Sequence, residues 1–141
     1  MKRSLARPAF GIGVLTSLLC ALGVTPPAFA AEHLPNLGCV GQARYRSMTW
    51  SAATAVTFIN RTTAPVRTYW IDYSGKRVFY AEIKPCSGYV QQTYVTHPWV
   101  ITGQMGDGCL AVFLPAHRPA VAIIDPWRRA GGGNACAPAA S

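Results

Sequence analysis

Short, largely apolar runs rich in valine, isoleucine and aromatic residues recur from residue 55 onward, with polar positions between them. Such runs are typical of β-strands, and no stretch keeps the 3.6-residue period of an amphipathic helix over a convincing length. Glycine, proline and serine residues, which favour turns, separate the stretches. The predicted strands are 55–59, 66–73, 78–83, 89–94, 99–102, 110–114 and 120–124. About seven short strands at this spacing predict an all-β fold, a single antiparallel β-sandwich.

The first thirty residues have the pattern of an export signal of bacterial type. They begin with basic residues, continue with an apolar run at 11–24 and end on Ala28-Phe29-Ala30, the small-x-small pattern of a signal-peptidase site. We therefore expect a signal peptide at 1–30, cleavage near Ala30 and a secreted or periplasmic protein. The alternative is lipidation at Cys20, which the bulky leucine before it disfavours. No later apolar run approaches the roughly 20 residues of a membrane span, so we expect no membrane span.

The rest of the chain is long enough for one domain. We expect an N-terminal tether at 31–44, the β domain at 45–125 and a flexible tail rich in glycine, alanine and proline at 126–141. The formal net charge is +8, but some of the basic residues belong to the leader and the others are scattered. Nucleic-acid-binding proteins usually concentrate their positive charge. The sequence therefore predicts no nucleic-acid partner.

Four cysteines follow the leader: Cys39, Cys86, Cys109 and Cys136. An even number in a small exported chain indicates disulfides. No C-x-x-C pair is present and no histidine stands at ligand spacing, so we expect no metal site, and no motif calls for a cofactor. Three pairings are possible. We favour Cys39–Cys136, which would join the two ends of the domain, and Cys86–Cys109, which would join strand ends.

Residues for acid–base or nucleophilic catalysis are few. The five carboxylates outside the leader are Glu32, Asp72, Glu82, Asp107 and Asp125. Asp107 stands between two glycines, where a turn role is expected. A serine, histidine and aspartate set can be assembled on paper from Ser87, His97 and Asp72, but the G-x-S-x-G pattern that marks a nucleophilic serine is absent. The sequence therefore predicts a protein that is not an enzyme.

Aromatic residues concentrate between residues 70 and 99. Strand alternation would place Trp70 and Asp72 on one face and Ile71 and Tyr73 on the other. Aromatic side chains on strands most often fill a core. Buried tyrosine and tryptophan need hydrogen-bond partners, however, so a set this dense favours a half-wet cleft.

The motifs in this region resemble those of the von Hippel–Lindau β domain family. They are Asn60-Arg61-Thr62, the run WIDYSG at 70–75, Tyr80 and the run TYVTHPW at 93–99. The resemblance extends from about Tyr45 to Asp125. It implies a non-catalytic module that binds a hydroxyproline-containing, or at least proline-containing, extended peptide.

The resemblance also implies roles for single residues. Trp70, Tyr80 and Trp99 would form the walls of a proline pocket, Thr93 and His97 would hydrogen-bond the hydroxyl group, and Tyr94 would flank the site. Some positions depart from the family pattern. Thr93 stands where the family has serine, Gln92 where it has histidine, and Cys86 where it has glycine.

No segment after Asp125 resembles the helical α domain through which that family recruits elongin, so we expect no elongin or ubiquitin-ligase partner. Two other interpretations stay open. In one, the same aromatic residues form a platform for a carbohydrate or a small apolar ligand. In the other, all of them are core residues of a structural or inhibitory domain held by disulfides.

Overall fold

The structure is a computed structural model that describes residues 31–49, 51–125 and Cys136. The predicted signal peptide at 1–30 and the predicted tail, apart from Cys136, lie outside the described residues. Eight strands and one short 3-10 turn, Gln42–Arg44, make up the regular structure of these residues. The strands are β1 Glu32–His33, β2 Ala53–Asn60, β3 Val66–Ile71, β4 Arg77–Ile83, β5 Gly88–Tyr94, β6 Trp99–Gly103, β7 Ala111–Phe113 and β8 Ala120–Ile124.

These strands form two four-stranded sheets that pack face to face. The strand order is β1-β8-β2-β5 in one sheet and β4-β3-β6-β7 in the other. The predicted all-β sandwich is therefore confirmed, and the seven strands expected from the sequence correspond to β2 to β8. Most pairs are antiparallel, whereas β8 runs parallel to both of its neighbours, β1 and β2.

The core lies between the sheets and is centred on aromatic rings. Along β2 every second residue is buried, as expected for a strand with one inward face. Phe58, from that face, meets Phe113 at 6.3 Å and Trp99 at 5.7 Å between ring centroids, both edge to face. Aromatic pairs of this geometry add about 0.5–1.5 kcal/mol each beyond the area they bury. Trp99 is thus part of the core as well as of the region described below.

The segment at 31–44, expected to be a tether, runs along the sandwich. Leu34 is buried among the core residues, and the backbone N–H of Leu37 donates to the carbonyl of Val112 at 2.9 Å. Tyr45, which follows the segment, packs on a small cluster on the outer face of the second sheet that includes Val100. Because both faces of β6 are covered, its first four residues are all buried.

Asn60 of the Asn60-Arg61-Thr62 motif is fully buried and has a structural role. Its side-chain amide donates to the carbonyls of Ala64 at 2.9 Å and Ile83 at 3.0 Å, and its side-chain oxygen accepts from the N–H and hydroxyl of Thr62. The end of β2 is thereby tied to the end of β4, which fixes the position of β4 relative to the other sheet. Such a buried amide is costly to replace, because its partners would be left unpaired.

Two disulfides are present, but the predicted pairing is wrong. The bonds join Cys39 to Cys109, with 5.9 Å between the Cα atoms, and Cys86 to Cys136, with 5.2 Å. The N-terminal segment hydrogen-bonds along β7, and this places Cys39 beside Cys109, just before that strand. Cys136 lies next to the end of β2, where its sulfur is 3.7 Å from the carbonyl of Asn60. The turn that carries Cys86 ends at the same place, because the N–H of Asn60 donates to the carbonyl of Ser87.

Candidate ligand-binding site

An aromatic cluster lies on the side of the sandwich where the edge strands β4 and β5 leave the two sheets open. The structure brings together all six residues that the resemblance assigns to a pocket: Trp70, Tyr80, Thr93, Tyr94, His97 and Trp99. They come from the end of β3, the middle of β4, the end of β5, the turn after β5 and the start of β6. No single strand could supply them.

Three of these rings meet nearly at right angles. Tyr80 lies edge to face with Trp99 at 4.9 Å and 81°, and with Trp70 at 6.4 Å and 84°. Trp99 is only 2 % exposed and forms the inner wall, Trp70 is half-buried and Tyr80 is exposed. Perpendicular rings of graded exposure do not form a flat platform, and we call the surface that these three rings border the aromatic recess.

A β-bulge aims Tyr80 into this recess. In the pairing of β3 with β4, Thr68 opposes Ala81 and Tyr69 opposes Phe79, so Tyr80 is an extra residue in β4. A bulge of this kind bends its strand and redirects a side chain. Phe79 points to the outer face, where it contacts Tyr69 at 5.6 Å between centroids. Tyr80 is left free to meet the two tryptophans.

Thr93 is buried beside the inner wall. The indole Nε1–H of Trp99 donates to the Thr93 hydroxyl oxygen at 3.0 Å. A hydroxyl oxygen that accepts one hydrogen bond still has its own proton to donate. The threonine that stands where the family has serine therefore keeps a donor for a ligand.

The His97 ring is held by other rings. It stacks on Trp70 at 5.2 Å and 28°, and Tyr94 lies against it at 5.0 Å. Its ring nitrogens make no hydrogen bond with the described residues, whereas its backbone N–H donates to the carbonyl of Tyr94 at 3.0 Å. Burial lowers the pKa of the His97 imidazole below its ordinary value. The neutral form, which offers one nitrogen as an acceptor, is favoured at neutral pH.

Tyr73 belongs to the cluster although strand alternation predicted otherwise. β3 ends at Ile71, and the turn after it brings Tyr73 back against Trp70 at 5.4 Å and His97 at 5.8 Å. The expectation that Tyr73 and Trp70 lie on opposite faces is therefore wrong, because the alternation stops where the strand stops. The sequence did carry a signal for this early end of the strand, because residues 73–75 of the WIDYSG run include a serine and a glycine, which favour a turn.

Asp72, in the same run, shapes that turn. Its carboxylate accepts hydrogen bonds from the hydroxyl and N–H of Ser74 and from the N–H of Lys76, at 2.7 to 2.9 Å. These bonds, the Ser74 hydroxyl first, lower the pKa of Asp72. Ser87 lies at the far end of β5 from the turn that carries His97, roughly 20 Å along the strand. The serine, histidine and aspartate set considered from the sequence is therefore not assembled.

Ser47 lies in the segment that resembles the family, but the sequence assigned no role to it. It is 5 % exposed, and its hydroxyl accepts a hydrogen bond from the indole Nε1–H of Trp70 at 2.6 Å. The same hydroxyl donates to the carbonyl of Ile71 at 2.5 Å. No spacing rule in the sequence connects a serine before β2 with a tryptophan in β3.

The described residues contain neither a metal site nor a membrane-spanning helix, and a separate apolar cavity lies away from the aromatic cluster. No group of three or more potential metal ligands is found among them, and none of their helices is long and apolar enough to cross a membrane. A separate apolar cavity of about 230 Å³ lies at the opposite end of β3 and β6 and is lined by Val66, Gly103, Leu110 and Asp125, among others. It contains none of the predicted site residues.

Comparison with known proteins bears on the same region. Residues 45–114 match the family model of the VHL beta domain. The VHL beta domain is a non-catalytic domain for substrate recognition that binds hydroxyproline-containing peptides. The matched segment includes Ser47 and every residue of the aromatic cluster, from Trp70 to Trp99. The comparison with curated proteins gave no match.

Proposed function

We propose that this chain is an exported, non-catalytic binding module that recognises an extended peptide through a hydroxyproline, or at least a proline, held in the aromatic recess. The observation that carries the proposal is the arrangement of Trp70, Tyr80 and Trp99 around the Thr93 hydroxyl and the His97 imidazole. Apolar walls and two polar groups at one place match a ring that carries a hydroxyl. The similarity to the VHL beta domain supports the same ligand class.

The walls suit a pyrrolidine ring. Proline has a fixed φ and little conformational freedom to lose, so its ring binds between aromatic walls at a small entropic cost. Tyr80 meets both tryptophans at nearly right angles, at 84° and 81°, so the three rings do not form one stack, and we assign the surface that they border to the ring of the ligand. The phenol oxygen of Tyr80 makes no hydrogen bond with the described residues, and we assign it to the peptide backbone beside the bound ring.

The two polar groups are complementary to a hydroxyl group. A hydroxyl needs an acceptor for its proton and donors for its oxygen. In this site the neutral His97 imidazole offers an acceptor and the Thr93 hydroxyl offers a donor. An unmodified proline would leave both without a ligand partner, which costs about 1–3 kcal/mol for each buried group. The expected preference for hydroxyproline is roughly tenfold or more.

The carbohydrate-platform alternative has less support. A platform needs an exposed ring face, and Trp99 is almost fully buried while Trp70 is covered by His97. The purely structural alternative explains Trp99 but not the exposed rings of Tyr73, Tyr80 and Tyr94 around one recess. Large exposed aromatic side chains grouped in this way are typical of interaction sites.

The test is calorimetric titration of the oxidised protein, expressed with its complete sequence in a bacterial periplasm. Two peptides are compared that are identical except for proline or 4-hydroxyproline at the centre. The proposal predicts at least tenfold tighter binding of the hydroxylated peptide. His97→Ala and Thr93→Val, each of which removes one polar group, should separate the two polar contributions, and Thr93→Ser, which keeps the hydroxyl, is the control. Sequencing the N-terminus of the purified protein tests export, which predicts a start at or near Ala31.

Equal affinity for both peptides would reduce the proposal to proline recognition. Binding of neither peptide, by a protein with two intact disulfides and a cooperative unfolding transition, would overturn it. Binding of oligosaccharides that is lost in Tyr80→Ala but kept in His97→Ala would favour the carbohydrate-platform interpretation.

A further inference from the structure

We propose that Ser47 is the positioning residue of this site: its hydroxyl fixes the indole of Trp70, and the fixed indole sets the direction in which His97 presents its acceptor. The predicted effect of Ser47 on peptide binding rests on the proposed function. The predicted effect on the orientation of the Trp70 and His97 rings concerns the protein without ligand and is tested separately.

The Ser47 hydroxyl is constrained on both sides. It donates its only proton to the carbonyl of Ile71 at 2.5 Å and accepts from the Nε1–H of Trp70 at 2.6 Å. The backbone N–H of Ser47 donates to the carbonyl of Asp72 at 3.2 Å, which holds the segment against the end of β3. One buried serine is therefore bonded to three successive residues, and the hydrogen bond to Nε1 restricts rotation of the indole.

The orientation of His97 depends on that indole. The imidazole makes no hydrogen bond with any of the described side chains or backbone groups, so only ring contacts orient it. Its contact with Trp70 is the one parallel stack, at 28° between the planes, whereas Tyr73 meets it edge on and Tyr94 at an oblique angle. A parallel stack restricts the tilt of the ring more than an edge contact does. If the indole rotates, the acceptor nitrogen of His97 turns with it.

Ser47 does not touch the recess that we assign to the ligand. It lies in the segment that precedes β2, is only 5 % exposed, and meets Trp70 at the Nε1 edge of the indole, whereas His97 stacks on the face of the ring. A hydroxyproline ligand would meet Trp70 and His97 and no part of Ser47. Any effect of this residue on the choice between proline and hydroxyproline must therefore act through the two rings.

The first experiment measures the ligand-free protein. Because the imidazole stacks on the indole, we expect the ring current of Trp70 to shift the ring protons of His97 in the NMR spectrum, so that their position reports the stack. In Ser47→Ala we expect these signals to move towards those of an unstacked histidine, and in Ser47→Thr, which keeps the hydroxyl, to stay closer to the original position. Thr62→Ala is the matched control, because it removes a hydroxyl that likewise bridges two partners, Asn60 and Ala64, at the other end of β2.

The second experiment measures binding. With the paired peptides, Ser47→Ala should reduce the preference for hydroxyproline over proline roughly three- to tenfold, because one oriented hydrogen bond is lost. The affinity for the proline peptide should change less, and Thr62→Ala should keep the full preference. Unmoved His97 signals in a folded Ser47→Ala protein would overturn the inference, even if the protein melts at a lower temperature. Moved signals in a protein that binds neither peptide would retain the positioning role and reject only the proposed function.

Discussion

The indole Nε1–H of Trp99 donates a 3.0 Å hydrogen bond to the hydroxyl oxygen of Thr93, six residues earlier in the chain. The bond crosses from one sheet to the other, since Thr93 is the last residue but one of β5 and Trp99 begins β6. It connects the core, which Trp99 helps to fill, with the recess that Thr93 borders. This one contact therefore bears both on the stability of the fold and on the binding site that we propose.

Replacing Thr93 should change the stability of the protein. Thr93→Val keeps the shape but leaves the buried Trp99 N–H without its partner, so we expect a loss of about 1–3 kcal/mol in the free energy of unfolding. Urea denaturation measures this loss. Thr93→Ser should retain most of the stability, because it retains the hydroxyl.

Thr54 provides a matched control directly opposite Thr93 in the pairing of β2 with β5. It is 7 % exposed, and its hydroxyl oxygen is the one buried side-chain polar atom among the described residues that has no hydrogen-bond partner. Thr54→Val removes an unpaired polar group, so the free energy of unfolding should stay the same or rise. A loss at Thr54 as large as that at Thr93 would show that any hydroxyl in this pair is required.

The site should depend on pH through His97. Burial lowers the pKa of the imidazole, so the unfolded chain binds a proton at a higher pH than the folded one. As the pH falls past the ordinary value of about 6.5, the stability that the neutral ring contributes is lost progressively, and the loss is complete below the pKa of the folded state. Protonation also removes the acceptor nitrogen, so the preference for hydroxyproline should fall over the acidic range in which His97 titrates.

NMR titration of the imidazole protons measures the pKa of His97, and titration calorimetry at pH 7.5 and at acidic pH measures the preference. The variants His33→Gln and His117→Gln assign the signals of the other two histidines. An imidazole that titrates at or above the value of free histidine would contradict the burial argument. If the preference for hydroxyproline over proline stays constant across the titration of His97, the imidazole does not contribute to recognition of the hydroxyl.

Tyr73 should contribute to the site through its ring. Tyr73→Ala removes edge contacts with both Trp70 and His97, each of a kind that adds about 0.5–1.5 kcal/mol. We expect peptide affinity to fall roughly three- to tenfold, while Tyr73→Phe keeps it. Phe79→Ala is the control, because this ring is similarly exposed but lies on the outer face of the sheet. Equal effects of the two alanine variants would indicate a general loss of stability.

The disulfide pairing is open to direct measurement. Proteolysis of the oxidised protein followed by mass spectrometry should yield peptides that join Cys39 to Cys109 and Cys86 to Cys136. Replacing both cysteines of the first pair by serine should lower the free energy of unfolding by about 2–4 kcal/mol, since the bond closes a loop of 70 residues. A peptide that joins Cys39 to Cys136 would contradict the structure.

Local pattern was sufficient for the strands, and the family resemblance was needed to select six residues of the cluster. Residues at 89–94 and 99–102 alternate or run apolar in the way that strands require, and β5 and β6 form there. The resemblance then selected Trp70, Tyr80 and His97, and the fold places them side by side. Their part in binding a ligand is still a prediction.

Long-range geometry was beyond the sequence. The disulfide pairing depends on which strand the N-terminal segment follows, and nothing near Cys39 specifies β7. The contact between Ser47 and Trp70 likewise joins residues 23 positions apart across two elements. At Cys86, by contrast, the family pattern did indicate the local backbone. This cysteine stands where the family has glycine, and its φ of +54° is in the left-handed region that glycine favours.

The bulge in β4 implies that this strand can lose one residue and still pair with β3. On both sides of Tyr80 the pairing with β3 is regular, and only the register differs by one residue. If Tyr80 were deleted, Phe79 and Ala81 would become neighbours and the two halves would join as an uninterrupted ladder. The sandwich is therefore complete without this residue, and a shortened chain should fold while it lacks one wall of the recess. Tyr80 is therefore not needed for the strand pairing. Its deletion would separate the residues that the fold requires from those that the proposed site requires.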